Sequence, residues 1–330
     1  MNDGPDHRDG HTSRAPRGVP WRRTRAKRRA GTRTPAQPLL LRIANRHIHR
    51  RMVTGVTAAD AGAAILERLR TRGPAGLDPG TPVDLKDPLA RQTAVRAAVE
   101  ADAELLPTDA FDRFVELGVF VEDESIPVGL IVALWQATSS LDQEQSRELC
   151  AALGGLSLLT LDPTAGGRVR LHDVIRGFLR SGLDEERLRE VNRALVDAAA
   201  SDVPPAGPQP GGGAGPARAW WQHPDRYVAD HFITHLLDAG HAREAEALAL
   251  DLRWIEQRLD HSGASAPLAD FARVPTPAER QAAIDLARAS HLLEPTTPAH
   301  ALRAILRSRL AGSDTWRGQV AAWRSAHPVL

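Results

Sequence analysis

The stretch Leu156–Ile175, LSLLTLDPTAGGRVRLHDVI, decides how the rest of the chain is read. Leu156 to Leu161 is a β-like apolar run. Asp162-Pro163-Thr164-Ala165-Gly166-Gly167 is a turn whose glycines supply the positive φ a tight reversal needs. Arg168 to Leu171 alternates charged and apolar residues, as a half-buried return strand does, and a helix follows directly from Asp173. Immediately upstream, Val128 to Trp135 is a short apolar helix and Asp142 to Leu153 a second one. Helices followed by a β-hairpin wing describe a winged helix, a variant of the helix-turn-helix plan.

Working outward, Thr108-Asp109 open a helix whose Phe111, Phe114 and Val115 share one face. Further upstream the pattern is helical from Leu39 to Arg51, from Ala58 to Arg72 and from about Pro88 to Leu106, with Pro74, Pro79 and Pro82 breaking it. Downstream, Asp184, Glu185 and Glu186 suit the N-terminus of a helix reaching Ala200. The 18 residues from Ser201 to Arg218 include five Pro and five Gly, which marks a linker. Beyond it come short helices. Val228, Ala229, Phe232, Ile233, Leu236 and Leu237 form one wide apolar face ended by Gly240. Thr276-Pro277-Ala278-Glu279 has the form of a capping box, and Thr297-Pro298 opens the next helix similarly. Successive helical hairpins predict a compact bundle or an α-solenoid.

The expected fold is therefore mainly α: a disordered basic arm over 1–35, a helical domain over 36–106, a winged-helix domain with a small β-hairpin wing over 107–200, a Pro/Gly linker over 201–218, and a helical arm over 219–330. Composition agrees. The chain has 330 residues and is 42% hydrophobic but only 4% aromatic, and its apolar content is mostly Ala and Leu, which favours helices. The net charge of +1 hides an asymmetry, since the basic run from Trp21 to Arg33 makes the first 51 residues strongly cationic and the remainder acidic. One cysteine cannot form an internal disulfide or a structural zinc site. No apolar stretch approaches the roughly 18 to 20 residues of a membrane span, so a cytoplasmic protein without membrane association is expected.

The motifs of common catalysts do not occur. A phosphate-binding loop needs Gly-Lys-Ser/Thr, yet the two lysines, Lys27 and Lys86, follow Ala26 and Leu85. Neither a His-Glu-x-x-His helix nor a Gly-x-Ser-x-Gly elbow is present. His231 and His235 have the four-residue spacing of a helical metal pair but lack an evident third ligand, so the expectation is a pair of surface or interface histidines and no metal site. Cys150, between Leu149 and Ala151, is expected to be a buried structural thiol. A winged helix that binds DNA presents a basic helix to phosphate; here Asp142, Glu144 and Glu148 oppose Arg147. Nucleic acid is thus the weaker of the two partner classes, with Arg168, Arg170 and the basic arm as the features favouring it.

At this point the residues resemble a known family. Phe120-Val121-Glu122-Asp123-Glu124-Ser125-Ile126-Pro127, the apolar helix ending in Leu134-Trp135, and Arg170-Leu171-His172-Asp173-Val174-Ile175 are similar to the winged-helix region of NB-ARC signalling ATPases of the STAND type, some of whose members carry WD-repeat propellers. The family has Met-His-Asp at this strand-to-helix junction, and Leu171 stands in place of the Met. Ala36-Gln37-Pro38-Leu39-Leu40-Leu41 resembles the family's Gly-Leu-Pro-Leu-Ala-Leu motif, with Ala36 in place of Gly. The chain from about Trp220 looks like the helical arm that follows the winged helix in these relatives. The resemblance implies a non-enzymatic regulatory or scaffold segment with no catalytic residues and no cofactor of its own. His172 would reach the β-phosphate of ADP, and Pro38 would lie against the nucleotide, if another chain supplied the nucleotide-binding domain. Implied partners are proteins, an NB-ARC ATPase domain or a WD-repeat protein; the alternative is a winged-helix DNA-binding regulator.

Overall fold

Asp142, Asp184, Asp225 and Asp251 each cap the start of a helix, accepting from a backbone amide of its first turn. The structure is a computed structural model that describes residues 57–60, 62–63, 99, 103, 106–164, 166–212, 215–293 and 300–326. The basic arm over 1–35, Pro38, the helix expected over 39–51, most of those over 58–72 and 88–106, and the Thr297-Pro298 helix start lie outside the described residues. What is described is mainly helical, with one small antiparallel sheet.

The first module begins with α1 (Thr108–Glu116) and a 3₁₀ turn, Leu117–Val119. A two-residue strand β1 (Ile126–Pro127) leads into α2 (Val128–Thr138), and α3 (Gln143–Gly155) follows. Asp142 accepts from the Gln145 amide while the Gln145 side chain accepts from the Asp142 amide, a reciprocal cap on α3. Strands β2 (Thr160–Asp162) and β3 (Arg168–Arg170) form the expected hairpin. Then come α4 (Asp173–Ser181) and α5 (Glu185–Ala199), the latter capped by Asp184. Phe114, Leu117, Phe120, Ile131, Leu134, Trp135, Leu153 and Leu158 fill the core.

Two features depart from expectation. The sheet has three strands in the order β1-β3-β2, with Ile126 and Leu161 both paired to Val169; a strand of two residues has no alternation by which to recognise it. The run from Leu156 is also not strand at its start. Leu158 donates to the Leu153 carbonyl and Ser157 to that of Gly154, the Schellman closure of α3, with Ser157 at φ 60°. Leu158 and Leu159 enter the core instead of pairing, and β2 begins only at Thr160. The turn behaves as expected, with Gly166 and Gly167 at positive φ. A Cβ on Gly167 would lie 3.1 Å from the Val128 side chain.

The second module consists of α6 (Arg226–Asp238), α7 (Ala242–Ala249), α8 (Leu252–Ser262), α9 (Ser265–Arg273), α10 (Pro277–Ala289), α11 (His300–Leu310) and α12 (Arg317–Ala326). Gly240, at φ 82°, ends α6 as the sequence indicates, with His241 and Gly240 donating to Leu236 and Leu237. α10 starts at Pro277 as expected, but the Thr276 side chain does not cap it; the hydroxyl turns instead to Glu246 on α7, 3.5 Å away. Tertiary contact outcompetes the local cap. Consecutive helices pack as hairpins, α9 also lies against α6, and α5 packs on α6 to join the modules. The described residues from 57 onward all fall within one contact-defined unit, Pro35–Leu330.

Candidate functional site

His172 sits where β3 passes into α4. Along this strand Val169 and Leu171 are buried, while Arg168, Arg170 and His172 lie on the outer face, as period-two alternation requires. His172 is the residue preceding α4. Its backbone carbonyl accepts from the Arg176 amide at 2.9 Å, closing the first helical turn. The imidazole Nδ1 lies against the Asp173 carboxylate, which also accepts from the Val174 amide at 2.7 Å. The ring is 22% exposed, so one edge of it faces outward. Pro38, the other residue implied to lie near nucleotide, is outside the described residues.

The segment that carries the family resemblance, Phe120 to Pro127, does something definite: it seats α6. The Leu171 carbonyl accepts from the Asp123 amide at 2.8 Å, joining this segment to the His172 strand. Arg176, one turn into α4, pairs with Glu122 at 2.6 Å and donates to the Phe120 carbonyl. Arg168 donates to the Ser125 hydroxyl at 2.9 Å and forms a two-point pair with Asp225 at 2.7 and 3.3 Å. Asp225 is itself the cap of α6, accepting from the Tyr227 amide at 2.8 Å. One carboxylate therefore both starts the helix and ties it to the wing. At the other end of α6, Arg193 on α5 donates to the Ala239 carbonyl at 3.0 Å, and Arg180 lies 3.8 Å from Asp238.

Between these ends runs a buried chain of hydrogen bonds. The Val121 amide donates to the Tyr227 hydroxyl at 3.1 Å. That hydroxyl has one proton, which it directs to His235 Nε2 at 3.1 Å. The remaining ring proton on Nδ1 goes to Asn192 Oδ1 at 3.0 Å, and the Asn192 amide donates to the Leu188 carbonyl at 2.8 Å. The tautomer follows from this order of donors. Burial lowers the His235 pKa to about 3 and raises that of Tyr227, so both stay neutral. Phe120 closes the apolar side, edge-on to Tyr227 with ring centres 5.8 Å apart.

His231 and His235 accordingly belong to an interface. Both nitrogens of His235 are committed, while His231 rests on the Tyr227 ring and lies 3.8 Å from Glu124. No group of three or more metal-binding side chains occurs among the described residues. Cys150 is buried in α3, with its thiol pushed up to about 12 by that burial. Sequence reasoning singled out the 120–127 segment and the two histidines but missed Tyr227, Asn192, Arg168 and Asp225 as their partners. One signal was available: Tyr227 is the chain's sole tyrosine and precedes His231 and His235 by four and eight residues on one helix face.

α3, the helix that a DNA-binding wing protein would direct at the groove, exposes Gln143, Glu144, Arg147 and Glu148. Among the described residues no helix is long and apolar enough to cross a membrane. The buried Arg258–Asp270 pair of the second module, at 3.0 Å, lies in a recognisable segment. Residues 218–303 match the family model described as the APAF-1 helical domain, spanning α6 to α10 and the first turn of α11. No curated protein matches the chain.

Proposed function

We propose that this protein is a non-enzymatic regulatory and scaffold segment of the NB-ARC, or STAND, signalling type, in which a winged-helix module and a helical arm act together on other proteins. The observation that carries the reading is the wing-to-arm seat: residues 120–127, β3 and α4 hold α6 of a segment similar to the APAF-1 helical domain through paired charges and a buried hydrogen-bond chain. A scaffold needs its parts held at a defined angle, and an interface in which buried polar groups are satisfied supplies that definition.

In this reading the domains are those expected from sequence, the location is the cytoplasm, and the partner is an ATPase domain of the same signalling class or a WD-repeat protein. His172 has the freedom required: its ring is partly exposed at the first turn of α4, where helix amides favour an anion. A protonated imidazole there would donate a charge-assisted hydrogen bond to a nucleotide phosphate held by the partner, with Pro38 against the base or sugar. The exposed acidic residues of α3 support proteins over DNA as partners.

The test pairs two measurements on His172→Ala. The melting temperature should hardly change, while ADP-dependent association with an NB-ARC nucleotide-binding domain should weaken about tenfold, equivalent to about 1.4 kcal/mol. A large stability loss without any ADP-specific effect would make His172 structural and defeat the switch.

A further inference from the structure

The last described helix is tied to two places far from it in sequence. Trp316, fully buried, donates its indole N–H to the Leu250 carbonyl at 2.9 Å. Gln319 on α12 makes a two-point contact with the elbow between α7 and α8: its amide nitrogen donates to the same Leu250 carbonyl at 2.9 Å, and its amide oxygen accepts from the Leu252 backbone N–H at 3.0 Å. Leu250 terminates α7 and Leu252 opens α8. Gln319 thus satisfies an orphan carbonyl of one helix and an orphan amide of the next.

The second tie is backbone on backbone. Gly211, at φ 86°, approaches Gly318 so closely that a Cβ on Gly211 would lie 2.2 Å from the Gly318 carbonyl carbon. A Cβ on Gly318 would lie 3.2 Å from the Gly211 oxygen. Gly211 belongs to the Pro/Gly-rich segment between the modules, and that segment is itself folded back. Ala206 donates to Ala217 at 3.0 Å and Ala219 to Pro204 at 2.9 Å, around a Pro205–Arg218 bridge. Val203, at its start, is buried. The same elbow also touches the segment, because Arg253 pairs with the buried Asp251, stacks 4.1 Å over Trp221 and points at the Gly207 carbonyl.

We propose that α12 is a clasp that holds the 203–212 strap against the α7–α8 elbow, so that the covalent path from wing to arm is a fixed strap while α12 is seated and a free tether when it is released. The whole of the strap and the whole of α12 lie outside the 218–303 match, so the clasp is a property of the segments that flank the matched part of the arm. It does not depend on His172, on nucleotide or on the seat of α6.

Hydrogen exchange on the full chain tests it, with Gln319→Ala and Gly211→Val as separate variants. Gln319→Ala should speed exchange at least about tenfold in α12 and, with it, in residues 203–212, while α9 and α10 keep wild-type protection. Gly211→Val, altered only in the strap, should produce the reciprocal loss in α12. If α12 loosens without the strap in Gln319→Ala, the two are independent and the proposal falls. It falls equally if both variants lose protection throughout the arm, since α12 would then be ordinary core.

Discussion

The two modules bury polar groups in different amounts, and the contrast shows how each acquires a unique arrangement. The wing module closes a largely apolar core around its small sheet. Its chief buried charge, Glu116, is answered by Arg113 at 3.1 Å, Arg187 at 2.6 Å and the Thr138 hydroxyl at 2.7 Å. The arm buries Asp251, Glu256, Arg258, Asp270 and Glu279 among helices that are otherwise rich in Ala and Leu. Small, similar side chains can pack in more than one register, whereas a buried ion pair has one geometry that avoids a large desolvation cost. The arm's polar groups therefore choose among packings that its apolar face leaves nearly equivalent.

Removing one member of the arm's central pair should have the largest effect. Asp270 accepts from Arg258 at 3.0 Å and from the Trp254 indole at 3.1 Å, and Arg258 is itself only 3% exposed. Asp270→Ala leaves that guanidinium with Asp230 alone and should cost about 3–5 kcal/mol in denaturant unfolding. A loss below about 1 kcal/mol would erase the distinction drawn between the two cores.

The seat between modules comes next. Tyr227→Phe keeps the ring against Phe120 but strands the Val121 amide and His235 Nε2, costing roughly 1–3 kcal/mol. In Asn192→Ala the second nitrogen of His235 loses its acceptor, and a double-mutant cycle with Tyr227→Phe should be non-additive because His235 connects the two. Additive losses would mean that the buried chain is not one unit.

Acidity sharpens the comparison through two groups of opposite sign. Burial lowers His235 to about 3, so its stabilising neutral form is fully effective above the ordinary histidine value of 6.5 and is lost as pH falls toward 3. Glu279 moves the other way. It is fully buried, its carboxyl has no hydrogen-bond partner on another residue, and burial raises its pKa against the opposing pull of its own backbone amide, with the nearby Glu246 charge also raising it. Its neutral form stabilises below the ordinary value of 4.5, and that contribution is lost as pH rises through the folded pKa. Stability profiles of His235→Gln and Glu279→Gln should therefore flatten the acid-side loss and the loss on rising pH, respectively. Identical profiles would contradict both assignments. The smallest stability effect belongs to His172→Ala, expected within about 0.5 kcal/mol of wild type because its ring is partly exposed and makes no buried bridge.

Much of the fold was legible because its signals are local. Gly240 and the Gly166-Gly167 turn show themselves by the positive φ they permit, the start of α5 by the acidic run Asp184–Glu186 that suits a helix N-terminus, and the apolar face of α6 by period. The candidate site was legible only in part. The 120–127 segment and the His172-Asp173 junction stand out by resemblance, but neither reveals that Val121 meets Tyr227 across 106 positions or that Arg168 meets the cap of α6.

Sequence by itself determined the helical class, the β2–β3 reversal and several of the helix ends, since each depends on residues within about one turn of the other. Tertiary structure alone decided the third strand, the diversion of Thr276 from its cap to Glu246, and the pairing of Gln319 with a helix elbow some 67 residues away. The physical reason is common to all three. Hydrophobic period specifies which face of an element is buried but not what it is buried against, and a polar group withdrawn from water takes whichever partner the packing brings within hydrogen-bond reach.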